Sequence, residues 1–151
     1  MAALDTDAIY QALFDRLQTE LAGSVKLFTR RAEHFESTLT QPALLLLASE
    51  ITPDQEKGLP PRWRLGAKVV VYLKAVENQQ SPETPLLSIV GQLEAALQRK
   101  ATEGGVADGD DWGTTLGGLV SSIHLSRVEL EQGIDGGQGV AIVDLVMVTH
   151  T

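Results

Sequence analysis

The chain has 151 residues, 43% of them apolar and 21% charged, with a formal net charge of −8 at neutral pH. That length suits a single domain, and that balance excludes general disorder. Cysteine is absent, which removes disulfides, thiolate metal sites and cysteine nucleophiles together. The longest unbroken apolar run, Ala43–Ala48, falls far short of the roughly 18–20 residues that span a bilayer. No basic region precedes an apolar stretch at the start, so no secretion signal is expected. These features predict a soluble protein made inside the cell.

The charge is unevenly spread. Residues 1–100 hold 11 Lys/Arg against 12 Asp/Glu, whereas residues 101–151 hold only Arg127 against eight acids. Phosphate binding needs a basic stripe, so nucleic acid is a poor direct ligand. The asymmetry instead predicts two surfaces of opposite character.

In chain order, the first element is an amphipathic helix. Asp5 or Thr6 can cap it, Asp7 suits its first turn, Ile9, Leu13, Leu17 and Leu21 recur every four residues, and Gly23 supplies a stop. Ser24–Arg31 alternates moderately and reads as an edge strand. Ala43–Ser49, after Pro42, is a short apolar run suited to a strand buried on both faces. Thr52–Pro61 carries three prolines and a glycine and reads as a loop. Trp63–Val76 is a long strand with β-branched residues, expected to form a hairpin with the preceding one. A second helix follows Pro85, with Leu86, Val90, Leu93 and Leu97 on one face. Thr102–Gly113 reads as an exposed acidic loop. Leu119–Leu130 and Gly139–Thr149 read as strands joined by a glycine-rich turn over Gln132–Gln138. The expected fold class is α+β: a mixed, mostly antiparallel sheet packed against two main helices, in the order α-β-β-β-α-β-β.

Catalytic and metal motifs fail at particular residues. Asp108–Gly113 begins like a calcium loop, but Trp112 occupies the fifth position and Leu119 the twelfth, where a bidentate Glu is needed. Gly136-Gly137-Gln138-Gly139 opens no helix and lacks the order of a dinucleotide fingerprint. Ser122 and His124 share a strand face, and Asp144 can lie nearby, yet no Gly-x-Ser-x-Gly elbow occurs. His34, His124 and His150 are too scattered to suggest a metal site. Trp63 and Trp112 read as core or interface anchors. No catalytic residue, cofactor or metal is expected.

Several local sequences do resemble one family. They are the opening helix with Ile9-Tyr10-Gln11-Ala12-Leu13, the run Gln41–Leu46, the strand Val69-Val70-Val71-Tyr72, and the helix opened by Pro85 with Leu93 and Ala96-Leu97. Thr115-Leu116-Gly117-Gly118-Leu119-Val120, followed by Ile123, Gly133 and Ala141-Ile142-Val143, is the most compact piece. Together they resemble the tail-terminator (tail-completion) proteins of long-tailed bacteriophages. The resemblance implies a non-enzymatic virion protein, assembled in the host cytoplasm as a homo-oligomeric ring, typically of six subunits. Such a ring sits on the head-proximal end of the tail tube, stops its polymerisation and receives the head through a connector or neck protein. DNA would pass through its lumen without specific binding. Another head–tail connector, or a small non-enzymatic cytoplasmic binding module, stands as the alternative.

A cyclic ring needs two different complementary patches on each subunit. The sequence offers Arg30, Arg31, Arg62, Arg64 and Lys68 on or near the first three strands, and Glu129, Glu131 and Asp135 around the last hairpin. The expectation is that the basic set of one subunit meets the acidic set of the next.

Overall fold

The computed structural model describes residues 5–30, 42–54, 58, 62–74, 83–98, 114–117, 119–132 and 138–149. Two helices and five strands follow in the order α1 (Thr6–Glu20), β1 (Leu27–Thr29), β2 (Ala43–Asp54), β3 (Arg62–Lys74), α2 (Glu83–Ala96), β4 (Ser122–Gln132) and β5 (Gln138–Val148). The strands form one mixed sheet in spatial order β1-β2-β3-β5-β4. β1 runs parallel to β2, and every other pair is antiparallel. The fold class and the element order are those expected from the sequence.

Each helix forms where its apolar period and its start signal agree. Asp5 caps α1, its carboxylate accepting the Ala8 N–H at 3.0 Å. Ile9, Leu13, Leu17 and Leu21 are all buried, as are Leu86, Val90, Leu93 and Leu97 of the second helical segment. Both sets join one core with Leu44 and Leu46 of β2, Leu65, Ala67, Val69 and Val71 of β3, and Ala141, Val143, Leu145 and Met147 of β5. Polar tethers fix the helices to each other and to the sheet. Arg16 on α1 donates from Nε to the Ala96 carbonyl at 2.8 Å and from a terminal nitrogen to the Gln98 carbonyl at 2.7 Å, closing the C-terminal end of α2. The Tyr10 hydroxyl donates to the Gly66 carbonyl at 2.6 Å, tying α1 to β3.

Three boundaries and one burial pattern differ from the sequence expectation. β2 continues through Thr52 and Pro53 to Asp54, where a loop is predicted, because these residues pair with Arg64, Trp63 and Arg62 of β3. Proline is tolerated there because no strand pairs with that side of β2 among the described residues. For the same reason the double-sided burial expected of Ala43–Ser49 holds only for Ala43–Leu46, and Ala48 and Ser49 are exposed. The first strand is confined to Leu27–Thr29 within the described residues; Arg31 lies outside them. β4 starts at Ser122 rather than Leu119, because Leu119 still belongs to the turn that Leu116 and Gly117 open with positive φ values of 51° and 72°. That turn is held by the Val120 N–H on the Thr115 carbonyl at 3.1 Å and by the Leu116 N–H on the Thr114 hydroxyl at 3.2 Å. Gly117 thus supplies the bend that precedes the strand. The acidic loop Thr102–Gly113 and most of the Gln132–Gln138 turn lie outside the described residues.

Candidate assembly surface

The helices cover one side of the sheet, and the charged groups gather on the other side and along the edges. On β3 and β5 the core residues alternate with Arg64, Lys68, Val70 and Tyr72, and with Val140, Ile142, Asp144, Val146 and Val148. In the middle of this second face the Lys68 amine lies 3.2 Å from Asp144 Oδ1. Arg127 on β4 sits in register with Asp144 and pairs with Glu129 on its own strand.

Two β-bulges decide which side chains reach this face. β2 slips register between Ala48 and Glu50, and β4 slips between Leu125 and Arg127. Simple alternation from Leu46 and Ala48 would turn Glu50 toward the helices and Ile51 away. The extra residue, Ser49, instead aligns Glu50 with Gly66 and Ile51 with the buried Leu65. In the same way Ser126 aligns Arg127 with Asp144 and Val128 with the buried Val143. Each bulge turns a charge to the second face and an aliphatic side chain to the helix side. Gly66 lies opposite the first bulge, where a Cβ would stand 2.5 Å from Ser49 Oγ.

The two lateral edges of the sheet are open among the described residues. β1 covers β2 only along Ala43–Leu45, so Leu46–Asp54 forms one edge, and the whole of β4 forms the other. Both expose apolar surface, Ile51 being 46% and Leu130 37% accessible. Beside β4, a groove of about 360 Å³ runs against α2, floored by Val90, Leu97, Ile123, Leu125 and Val128 and rimmed by Glu94, Gln98 and His124.

The charged residues expected to form subunit contacts are distributed unevenly over this frame. Arg30 ends β1 and turns to α1, its guanidinium 3.2 Å from Asp7 Oδ1 and 3.1 Å from Gln11 Oε1. Arg62 and Arg64 are exposed at the start of β3, opposite Asp54 and Thr52. Lys68 is central, held by Asp144. Glu129 and Glu131 lie on the β4 edge, Glu129 already engaged by Arg127. Arg31 and Asp135 lie outside the described residues. Sequence reasoning missed Glu50, Ile51, Arg127 and Asp144, and only the bulges reveal where the first three point.

The triad considered from sequence is not assembled. Ser122 pairs with Val148 and His124 with Val146, while the Asp144 carboxylate is held by Lys68. Among the described residues no three His, Asp or Glu side chains gather as a metal site, and no helix is long and apolar enough to cross a membrane. Trp63 is half-buried at the margin of the core, its backbone N–H donating to the Thr149 hydroxyl at 2.9 Å.

No family model matches the chain, and no curated protein does. Solved structures do match it over its whole length. A chain described as part of the virion of a native gene transfer agent particle superposes with a TM-score of 0.58, covering 98% of both chains at 10% identity. A second solved chain superposes with a TM-score of 0.52, covering 99% of both at 14% identity. At these identities the likeness shows the fold.

Proposed function

We infer that the protein is a non-enzymatic structural component of a phage-like virion, and that it closes the head-proximal end of a tail tube as a homo-oligomeric ring, six subunits being the number implied by the tail-terminator resemblance. The observation that carries this reading is the end-to-end agreement of its fold with a chain from a gene transfer agent virion, matching 98% of each. The resemblance of Thr115–Val120 and the flanking segments to tail terminators supports the finer assignment, as does a sheet whose two lateral edges are open and dissimilar among the described residues. A head-to-tail ring needs two such different surfaces, because each subunit must offer one patch to its neighbour on either side. In this reading the basic group Arg30, Arg31, Arg62, Arg64 and Lys68 of one subunit meets Glu129, Glu131 and Asp135 of the next. A net charge of −8 suits a channel that DNA crosses without sticking, since like charge repels phosphate. Tail tube and a neck or connector protein are the partners on the two faces of the ring.

The test is to add the purified protein to growing tail tubes of its own phage-like particle and to measure tube length by electron microscopy. Capped tubes of defined length, each bearing a ring at one end, are expected. Tubes that keep growing with no added density refute the reading.

A further inference from the structure

We propose that neighbouring subunits join by continuing the sheet: the open half of β2 in one copy pairs antiparallel with β4 of the next. This inference rests on the ring reading and specifies the contact that builds it. The direction of the strands comes first. β2 and β3, β3 and β5, and β5 and β4 are successive antiparallel pairs, so β4 runs opposite to β2. Copies set side by side in one orientation therefore present β4 and β2 edges with the polarity of an antiparallel pair, which exchanges backbone hydrogen bonds between otherwise open edges.

The register follows from the rows within one subunit. Glu50, Gly66, Val146 and His124 form one row, and Ile51, Leu65, Met147 and Ile123 the next. Keeping the rows level across the junction sets Glu50 of one copy beside His124 of the next, with Arg127 two rows away on the same face. On the other face it sets Ile51 beside Ile123, at the groove between β4 and α2. An exposed acid thus meets cationic and polar groups, and an exposed aliphatic side chain meets an open apolar floor. The bulges at Ser49 and Ser126 fall in neighbouring rows, so a shifted register would oppose Glu50 to a different face pattern. β1 limits the junction at its other end. β1 fills the lane beside Ala43–Leu45, so the pairing is confined to Leu46–Asp54 and Ser122–Val128, and β4 of the neighbour turns out of the sheet plane from Glu129 onward.

Because the chain has no cysteine, introduced thiols report this contact without background. Glu50→Cys and His124→Cys are each placed at exposed positions on the second face. Under mild oxidation the double variant is expected to give a covalent ladder, ending at the ring, with at least tenfold more product than either single variant alone. Mixing the two single variants is expected to give dimers only. Light scattering on the unmodified chain, with and without tail tubes, is read in parallel. Oligomers without a ladder overturn this contact and leave the ring reading standing. Absence of both ladder and oligomers under all these conditions overturns both. Dimers from one single variant alone mean a two-fold contact and refute the proposal. Cross-linking of His124→Cys to tube protein in place of a second copy also refutes it. As a second measurement, Arg127→Glu should weaken oligomerisation about tenfold, and combination with Glu50→Arg should restore it; no restoration refutes the pairing.

Discussion

Replacing Tyr10 with phenylalanine deletes one oxygen and tests how α1 is fastened to the sheet. The hydroxyl donates to the Gly66 carbonyl at 2.6 Å from a side chain that is almost wholly buried. A hydrogen bond of this kind contributes about 0.5–1.5 kcal/mol net, and a buried group left without its partner costs about 1–3 kcal/mol. The ring itself stays packed among the core residues, so no cavity beyond the missing oxygen arises. A loss of about 1–2 kcal/mol is therefore expected, lowering the melting temperature by about 3–8 °C for a chain of this length. Burial also raises the Tyr10 hydroxyl above its ordinary value of 10.0, a rise that the charge of Arg30 partly offsets. A phenol that holds its proton more tightly when folded contributes stability that is complete below pH 10.0 and is lost as the pH climbs through the folded value. The stability gap between the native chain and Tyr10→Phe should thus be constant near neutrality and narrow above pH 10. Urea unfolding followed by circular dichroism across that range measures it. A gap below about 0.3 kcal/mol at neutral pH, or one that fails to narrow in base, would refute the reasoning.

Leu93→Ala removes a fully buried side chain from the face of α2 and should cost about 2–5 kcal/mol in chemical denaturation; a loss under half a kilocalorie would mean that this face does not form the core. Gly66→Ala should destabilise by about 0.5–1 kcal/mol, because its new methyl meets Ser49 Oγ and forces that exposed hydroxyl to turn away. Adding Ser49→Ala should recover part of that loss, and full additivity of the two changes would show that the bulge is not the cause.

Helices and the central strands were legible because their signals are periodic and local. Ile9, Leu13, Leu17 and Leu21 define a face at a spacing that only a helix satisfies, and Asp5 marks its start. The buried strands betray themselves by β-branched runs such as Val69-Val70-Val71. The ends of strands were less legible because pairing across space extended them. Thr52 and Pro53 carry every local mark of a loop, yet the backbone of β3 holds them extended. The charge asymmetry was also visible, but its local meaning was not. Lys68 looked available in the sequence, and the structure shows its amine against Asp144, a residue remote in the chain. Glu129 is likewise engaged by Arg127.

The proposed assembly surface escaped the sequence for a more particular reason: a bulge changes the parity of everything after it. Alternation read from Leu44 and Leu46 sends Glu50 inward, and alternation read from Ile123 and Leu125 sends Arg127 inward. Each alternation is broken by one extra residue, at Ser49 and at Ser126. The inversion at Ser49 is built from the interior outward. Tyr10 on α1 holds the Gly66 carbonyl, and the absent side chain of Gly66 leaves room for Ser49. Ser49 in turn presents Glu50 on one face and Ile51 on the other. The pattern along the free edge of β2 is therefore tied, through one glycine, to the packing of a helix on the far side of the sheet. A bulge in an edge strand ordinarily blocks indiscriminate pairing. Two bulges in neighbouring rows on opposite edges do more, because each admits only a strand whose charged and apolar positions are offset to match. A second copy of this chain carries that offset.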